Sequence, residues 1–489
     1  MNYSYALLAR ATLPEITLVA GALLVLAYDL IVGRRHSLAE RQSAALWIGA
    51  TALVAALVDL ISVGPMGPIY GGTLLLDQLA VAERAGVLVL ALLTLGVASG
   101  AKVPRHPAEY VAIILFATTG FTLMGAAHHL LLAFVALELA SLSLYILAGF
   151  DKERRESAEA GLKYFLFGGM ATAFLLFGFS LIYGVTGELD LARISFVLAH
   201  TGMSPLLGLA LVMVLVAFGF KAAAAPFHLW APDVYQGAPA PAAALIASAS
   251  KLAGFTLFIR LLWPGLHDVA GSIATASAPS GWLTIVAVLS AASLLLGNFG
   301  ALAQSNVRRL LAYSAIAHAG VMMLGLAVIV RAGQGPILYY AITYGLATVG
   351  AFGVIAVINA NGGCQRLTDL AGLHRRSPLL AGCLLVFVLS LAGVPPLAGF
   401  FGKFSIFTAA FQLGGISGPA GWLALLALAM SAIGLYYYLI ILKQALIVKS
   451  TEAVTPIKIP LTAVVALLIA ASLLVLLGIF PSTLLGLFS

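Results

Sequence analysis

Charged side chains are scarce in this sequence, and the scarcity narrows the class of protein. Only 9% of the 489 residues are Asp, Glu, Lys or Arg, whereas 62% are hydrophobic, and the mean hydropathy is +1.08. A soluble globular domain carries about 25% charged residues, so a soluble fold is excluded. The hydrophobic residues form runs of helix length without a ten-residue alternation, which predicts an all-α polytopic membrane protein and not a barrel.

Cysteine and nucleotide-binding motifs are equally sparse. The two cysteines, Cys364 and Cys383, do not form a cluster at metal or iron–sulfur spacing, so we expect no redox centre, cofactor or metal in this chain. A phosphate-binding loop is also missing, because the nearest candidate, GFFGKF at 399–404, lacks the first glycine and the hydroxyl residue. We expect no nucleic-acid partner, since the net charge of +7 belongs to membrane loops.

The apolar runs predict about fourteen transmembrane helices. The first run is followed by GRRH, a stop-transfer flank, so it reads as a true span and not as a cleaved signal. The seventh span contains Pro226 and the twelfth contains Pro395 and Pro396, and proline inside a helix breaks it, so both should be discontinuous. The predicted ranges are 10–32, 43–63, 79–99, 108–126, 129–148, 160–185, 205–230, 238–262, 281–303, 307–330, 335–358, 378–411, 421–442 and 460–484.

The positions of the 25 Lys and Arg residues predict the orientation. Sixteen of them fall in the loops after spans 1, 3, 5, 9, 11 and 13, and five, Arg84 and Arg260 among them, fall on the opposite side or at its helix ends. Basic residues concentrate in cytoplasmic loops, so both termini should lie on the non-cytoplasmic side of the membrane. The remaining four are Lys163, Lys221, Lys251 and Lys403, so every embedded basic residue is predicted to be a lysine.

Embedded ionisable groups of this kind point to proton transfer. Lysine gains and loses a proton more readily than arginine, and intramembrane charges mark ion paths by default. Glu138 is the one acid near the middle of a span, and Lys163, near the start of its span, could pair with it. His318 and, more weakly, His228 are further candidates. The alternative is structural: lysines that snorkel or neutralise an acid, and histidines that only pack.

Other polar groups are predicted to lie at or near the membrane–water interface. Five acids lie closer to span ends and read as interfacial or structural groups: Glu15, Asp29, Asp59, Asp77 and Glu83. His128 and His129 begin a span and read as interfacial. Tyr436, Tyr437 and Tyr438 fit an aromatic belt at the interface and not a cofactor site.

The two interrupted spans also predict an internal repeat. Paired interruptions in corresponding positions point to a transporter's ion path, and an offset of five spans makes the repeats inverted. We predict an N-terminal three-helix segment at 1–107, five-helix repeats at 108–264 and 281–442, and a C-terminal helix within 443–489.

Several motifs together resemble a known family. They are FKAAAAPFHLWAPDVYQGAPAPAAALIASASKLAGF around Lys221 and Lys251, LLLAFVALELASLSLYIL around Glu138, LKYFLFGG around Lys163, LGNFGALAQSNVRRLLAYSAIAHAG around His318 and LSLAGVPPLAGFFGKF around Lys403. With these motifs the chain resembles the subunit N family of bacterial proton-translocating NADH:quinone oxidoreductase, respiratory complex I, and its plastid relatives.

The resemblance implies an antiporter-like subunit of the membrane arm. In that family the residues matching Glu138 and Lys221 form a buried pair, the lysine matching Lys251 is central, the one matching Lys403 leads to the exit, and the histidine matching His318 joins the relay. It implies that protons move through this chain with water. It also implies that flavin and iron–sulfur clusters reside in partner subunits and that neighbouring membrane-arm subunits and lipid surround the chain.

Two rival functions remain at this stage. A subunit of a multisubunit sodium/proton antiporter shares the fold and the embedded Glu and Lys. A non-pumping membrane scaffold would use the buried charges only to fix helix packing.

Overall fold

The computed structural model describes residues 4–101, 105–278, 281–449 and 456–488. Lys102, one of the sixteen loop cations, lies outside these ranges. Among the described residues, thirteen helices are long and apolar enough to cross a membrane. The predicted twelfth span is not among these thirteen, because it is divided into two helices, Pro378–Ala392 and Ala398–Gly414, that are each shorter than 18 residues. The prediction of an all-α polytopic membrane protein is confirmed.

The first part of the chain forms helices joined by short loops and one hairpin. The hairpin is antiparallel and pairs Gly67 with Leu76. Ser37 and Glu40 form a capping box that begins the third helix, and Asp77 caps the fourth. The elements are α1 (Tyr5–Ala11), α2 (Leu13–Ile31), α3 (Leu38–Val63), β1 (Gly67–Ile69), β2 (Leu74–Leu76), α4 (Gln78–Ala98), α5 (Pro107–Ala126), α6 (Leu130–Ala148), α7 (Arg155–Thr186) and α8 (Leu191–Thr201).

The second part contains four helices in place of the two predicted spans. They are α9 (Pro205–Ala222), α10 (Trp230–Gly237), α11 (Ala240–Ala247) and α12 (Ala249–Leu266). The break between α9 and α10 surrounds Pro226, as predicted. The predicted eighth span corresponds to one apolar segment at Ala240–Val269 that is long enough to cross a membrane. Ser248, with φ −112° and ψ −82°, separates its two helices, α11 and α12. No proline or glycine lies within five residues of this break, so it could not be predicted from helix-breaking residues.

The third part completes the bundle. The predicted break at Pro395 and Pro396 is confirmed, because it separates α18 from α19. The elements are α13 (Trp282–Leu302), α14 (Val307–Ala327), α15 (Ile329–Ala332), α16 (Gly335–Ala360), α17 (Leu373–Arg376), α18 (Pro378–Ala392), α19 (Ala398–Gly414), α20 (Pro419–Leu446), α21 (Leu461–Ile479) and α22 (Ser482–Leu485).

The two predicted breaks share one backbone geometry. Each first half-helix ends at a residue with positive φ, Ala223 at 56° and Gly393 at 83°. The next residue in each case, Ala224 or Val394, donates its N–H five residues back, to Gly219 or Leu389. The last carbonyl groups of each half-helix therefore lack the N–H donors that the next helical turn would supply. These carbonyls give the end of the half-helix a partial negative charge.

The centre of the bundle is formed by helices that are surrounded by the chain itself. The most apolar windows of the α11–α12 segment and of α16 are wholly buried, and that of α14 is nearly so. In contrast, α2, α3, α7 and α21 expose apolar side chains over much of their length. Central and peripheral helices are both covered with hydrophobic residues, so composition alone does not tell them apart. Their burial in the structure does.

The ends of the helices define two sides of the molecule. We call the side where α2 begins and α22 lies the terminal side; there α22 packs against α16 near Gly335. We call the opposite side, which carries Arg34, Arg154 and Arg375, the basic side. The half-helices α9 and α18 run to their breaks from opposite sides.

Candidate functional site

Lys221 and Lys403 both lie at the negative end of a broken helix, but they reach it differently. Lys221 is in the last turn of α9. Lys403 lies beyond the break on α19, and its Nζ donates to the carbonyls of Leu391 and Ala392 at 3.1 and 3.0 Å, at the end of α18. A cation at a helix C-terminus is stabilised by the helix dipole. Each break therefore provides a place for one ammonium group.

Glu138 and Lys221 are neighbours but not an ion pair in this structure. Lys221 Nζ donates to Ser141 Oγ at 3.1 Å, one turn beyond Glu138 on α6, and Glu138 accepts from Thr172 Oγ1 at 2.7 Å. The carboxylate still acts electrostatically on Lys221. A cavity of about 10 Å³ lies between Ser141, Thr172 and Lys221, which is close to the smallest space that holds one water. Instead of pairing directly with each other, the two side chains each hydrogen-bond a separate hydroxyl group, Lys221 that of Ser141 and Glu138 that of Thr172.

Lys251 occupies the centre, in the first turn after the Ser248 break. Its side chain is 2% exposed, and its Nζ donates to the backbone carbonyl of Ala315 on α14. The ammonium group lies 5.2 Å from the centre of the Tyr344 ring on α16, a cation–π distance. No acidic side chain forms an ion pair with Lys251 among the described residues.

His318 belongs to a buried chain of hydroxyl groups. Its Nδ1 is 2.6 Å from Tyr340 Oη and its Nε2 is 2.8 Å from Tyr438 Oη, and Tyr438 also contacts Ser314. A cavity of about 20 Å³ connects His318 with Lys403. The prediction that Tyr437 and Tyr438 form an interfacial belt is wrong, because both are buried and Tyr438 bonds the candidate relay histidine. Only Tyr436 is exposed.

Lys163 is not a partner of Glu138. Its Nζ lies 2.6 Å from both Glu159 and Asp233, and Asp233 also pairs with Arg309 at 2.5 Å. Burial raises the pKa of Asp233, but its hydrogen bonds to Lys163 and Arg309 outweigh this effect and hold that pKa below its usual range. The lysine is therefore part of an ion-pair cluster that joins α7, α10 and α14. Asp233 was missed from the sequence, because it follows a proline break inside a run of loop-like residues.

Buried arginines also contradict the prediction that all embedded cations are lysines. Arg84 is fully buried on α4 and pairs with Glu15 at 3.1 Å. Arg260, on α12, is 2% exposed, and both of its terminal guanidinium nitrogens donate hydrogen bonds to the Asp77 carboxylate. Their proximity to span ends in the sequence hid this burial, which only the packing of α2, α4 and α12 produces.

His228 lies in the α9–α10 break. It is buried, its Nδ1 has no hydrogen-bond partner among the described residues, and its ring faces Tyr313 at 6.4 Å. The structure therefore places it near the break but does not join it to the lysines.

A wide cavity opens on the basic side. It has a volume of about 1030 Å³, is lined by charged side chains that include Arg105, Glu109, Lys152 and Arg308, and reaches Pro239 and Ala240 at the start of α11. Lys251 lies eleven residues beyond Ala240, about 16 Å at the rise of a helix. In the described ranges, no group of three or more His, Cys, Asp or Glu side chains is arranged to hold a metal ion.

Comparison with known proteins gives the class to which this bundle belongs. Residues 127–434 match the family described as NADH:quinone oxidoreductase/Mrp antiporter, transmembrane. The chain therefore belongs to this family of antiporter-like membrane subunits. This range contains the two broken helices and all the buried lysines described above.

Individual relatives show which subunit of this family the chain is most like. The chain is 47% identical, over 98% of each chain, to NADH-quinone oxidoreductase subunit N 2 of Acidobacterium capsulatum. It is also similar to a chain of respiratory complex I from Thermus thermophilus with bound aureothin, at 34% identity and a TM-score of 0.78 over 97% of this chain and 98% of that one. A chain of the Mrp complex from Dietzia shares the fold, with a TM-score of 0.80 at 22% identity over 97% of this chain and 96% of that one. The similarity to the subunit N family is thus confirmed.

Proposed function

We propose that this chain is a proton-translocating membrane-arm subunit of NADH:quinone oxidoreductase. Flavin and iron–sulfur clusters would reside in partner subunits, and this chain would carry protons without redox chemistry of its own. The family and its subunit N relatives support this assignment. The antiporter alternative is supported only by the shared fold. The scaffold alternative does not explain why the buried lysines are surrounded by neutral groups.

The observation that carries the proposal is the chemistry around the three buried lysines. Lys221, Lys251 and Lys403 are each held by neutral oxygen acceptors, a hydroxyl or backbone carbonyls. A lysine held in this way exchanges a proton without first breaking an ion pair, which is what a proton carrier requires. A structural lysine would be expected to hold an acid, as Lys163 does.

The relay that we propose runs through Glu138, Lys221, Lys251, His318 and Lys403, with water between them. The Tyr340–His318–Tyr438 chain and the cavity beside Lys403 support the second half of this path. Lys163 and His228 are not joined to it in this arrangement, so we assign Lys163 to a supporting ion-pair cluster.

The driving energy would reach the relay through Glu138. This carboxylate is only partly buried and lies on the same stripe of α6 as the exposed Val135 and Leu142. A charged group of a neighbouring subunit could therefore approach it and change its interaction with Lys221. Two charges a few ångström apart in a partly dry interior interact by several kcal/mol, which is enough to move a proton.

The topology follows from the charges. We propose that the basic side faces the cytoplasm of a bacterial cell, that both termini lie on the non-cytoplasmic side, and that the wide cavity admits cytoplasmic water towards Lys251. The two inverted repeats would comprise α5 to α12, close to the predicted 108–264, and α13 to α20, close to the predicted 281–442, with the predicted segments 1–107 and 443–489 flanking them.

Substitution of the lysines in the reconstituted complex tests the function. Lys221→Ala and Lys403→Ala should each lower NADH oxidation and proton pumping together by about tenfold or more, because a positioned proton carrier is lost. Lys443→Ala, on the exposed end of α20, is the matched control and should change neither rate. Assembly is checked by native electrophoresis.

Two results would contradict the proposal. Normal rates and a normal pumping ratio in both assembled lysine variants would make the lysines structural. A dependence of ion transport on sodium at a constant proton gradient would favour the antiporter.

A further inference from the structure

A second set of ionisable groups, four of them buried and one partly exposed, lies outside the relay between α2, α4 and α12 near the terminal side. Its members are Glu15, Asp77, Glu83, Arg84 and Arg260. Arg84 forms an ion pair with Glu15 at 3.1 Å, although neither Glu15 oxygen has a hydrogen-bond partner among the described residues, and Arg260 pairs with Asp77 through hydrogen bonds. Each arginine is thus balanced by one acid, and Glu83 is the acid that remains.

Glu83 has no partner of its own. It is fully buried, and neither carboxyl oxygen has a hydrogen-bond partner among the described residues. The charged side chains that act on it are Arg84, Glu15 and Arg260. An unpartnered polar group at such a depth costs several kcal/mol when it is only a packing element, so its presence calls for a function.

The Glu83 carboxyl group occupies the space next to Gly125, where any other residue would have a Cβ atom. A Cβ atom at Gly125 would lie 2.2 Å from Glu83 Oε2, so no other residue fits there without a shift. The carbonyl of the same Gly125 accepts a hydrogen bond of 2.9 Å from Arg260 Nε. The guanidinium group of Arg260 therefore spans from Asp77 to the residue that faces Glu83.

The position of Glu83 joins the central lysine to the terminal side. Gly86, one turn further along α4, faces Leu252 of α12 and Ile342 of α16. Lys251 directly precedes Leu252 on α12, and its ammonium group lies against Tyr344 of α16. Arg260 is nine residues beyond Lys251 on α12, about 13 Å at the rise of a helix. Asp77 is partly exposed at the start of α4. Glu83 thus lies between a buried proton carrier and a surface carboxylate.

We propose that Glu83 and Asp77 form a proton path from Lys251 to the terminal side, gated by Arg260, which moves between the two carboxylates. This path rests on the proposed function and is separate from Lys403. In the observed arrangement Arg260 holds Asp77, and Glu83 carries the proton. When Arg260 turns to Glu83, Glu83 gives its proton through water to the released Asp77.

The cycle balances without any other reactant. Protonated Asp77 loses its proton to water at the surface, and the ammonium group of Lys251 returns a proton through water to Glu83. Arg260 then pairs again with ionised Asp77. One proton has moved from Lys251 to the surface, and only N–H and O–H bonds have formed and broken.

The surroundings of Asp77 are consistent with its role as the surface group. Burial raises the pKa of Asp77, but the hydrogen bonds and charge of Arg260 hold that pKa below its usual range, so the departure of Arg260 restores its affinity for a proton. His128, predicted to be interfacial, is instead buried nearby with an unpartnered Nδ1, and the charges of Asp190, Arg260 and Asp77 act on it. The groups facing the gate are thus the five members of the cluster together with His128 and Asp190.

Matched variants of the assembled complex test the path in proteoliposomes. Glu83→Gln should lower NADH oxidation and proton pumping together by roughly threefold or more, and Glu83→Asp should retain most of both rates. Asp77→Asn still caps α4 through its side-chain oxygen but leaves Arg260 free to hold Glu83, so it should lower both rates to a similar extent. Asp59→Asn is the control, because Asp59 is a span carboxylate near the same side that binds only Thr17.

Infrared difference spectroscopy supplies a readout that a structural role would not change. Between resting and NADH-reduced complex, the band of a protonated carboxyl group should change in the wild type and in Asp59→Asn. It should be lost in Glu83→Gln and in Asp77→Asn.

The outcomes separate this path from the main function. Normal rates in assembled Glu83→Gln and Asp77→Asn, with slow Lys221→Ala and Lys403→Ala, would overturn the path and leave the function standing. Normal rates in all four would overturn both. Failure of Glu83→Gln to assemble, together with normal rates in Asp77→Asn, would make Glu83 structural.

Discussion

At the scale of single residues, hydrogen-bond partners separate the four lysines that the sequence places inside apolar spans. Lys163 holds two carboxylates, whereas Lys221, Lys251 and Lys403 hold only neutral oxygens. The same comparison separates Glu83, which has no partner, from Asp77, which holds Arg260. Partner chemistry is therefore the basis on which we assign Lys163 to the fold and the other three lysines to the proposed relay.

Two adjacent tyrosines allow a residue-scale test of the histidine link. Tyr340→Phe removes the hydroxyl bound to His318 Nδ1 and should slow coupled turnover by about tenfold, because a proton-transfer partner is lost. Tyr339→Phe removes a hydroxyl that binds the Leu477 carbonyl and should cost about 1 kcal/mol of stability with normal turnover. NADH oxidation and thermal unfolding of the two variants are compared. Equal turnover in both would exclude the His318–Tyr340 link from the relay.

The lysine positions were predictable from the sequence, but their partners were not. An embedded lysine is visible in an apolar run, so Lys221, Lys251 and Lys403 could be named at once. Ser141, Asp233 and Tyr438 lie tens of residues or more from the groups they bind, and only tertiary packing brings them together. Arg84 and Glu83 were misjudged because distance from a span end measures depth along a helix and not enclosure by neighbouring helices.

At the scale of elements, the broken helices place the lysines. Proline marked two breaks correctly, because the loss of a backbone N–H is a local property of the sequence. The third break, at Ser248, contains no proline. It lies where α11 and α12 pack against α4 and α16, and where Lys251 binds a carbonyl of α14. Broken helices are tolerated inside a membrane only where the protein encloses them, and all three breaks lie within the bundle.

Gly393 provides the element-scale prediction. Its φ of +83° disfavours any residue with a Cβ atom, and a Cβ there would lie 3.1 Å from Lys403 Cδ. Gly393→Ala should therefore lower stability by about 1–2 kcal/mol and slow turnover by displacing Lys403. Gly382→Ala, in the open interior of α18, should be neutral or more stable by up to about 1 kcal/mol. Thermal unfolding and NADH oxidation are measured for both, and unchanged values for Gly393→Ala would show that the break does not position the lysine.

At the scale of the whole molecule, one exposed face is unsuited to lipid. Glu138 lies on the stripe of α6 that also exposes Val135, and a carboxylate facing hydrocarbon is costly. Lipid can cover α3 or α21, whose outward residues are apolar, but this stripe requires a protein neighbour. The face of α6 is thus expected to contact another membrane-arm subunit.

Chemical labelling tests this expectation. Val135→Cys should react with a lipid-soluble maleimide in the isolated chain, because Val135 is 58% exposed, and should be protected in the assembled complex. The isolated chain serves as the control for reactivity of the new thiol. Labelling at the same rate in the complex would show that lipid, and not a subunit, covers this face.

The enclosure of α11 and α12 also constrains how the protein is made. This segment is buried on all sides, yet two helices that follow it in the chain help to enclose it: α16, which packs against both halves, and α14, whose Ala315 carbonyl binds Lys251. During synthesis it therefore enters the bilayer with Lys251 and Arg260 before their final surroundings exist. The growing chain must shelter these charges beside α4, α5 and α9, or at the insertion machinery, until the second half arrives. Biogenesis and proton transfer thus place opposing demands on the same thirty residues.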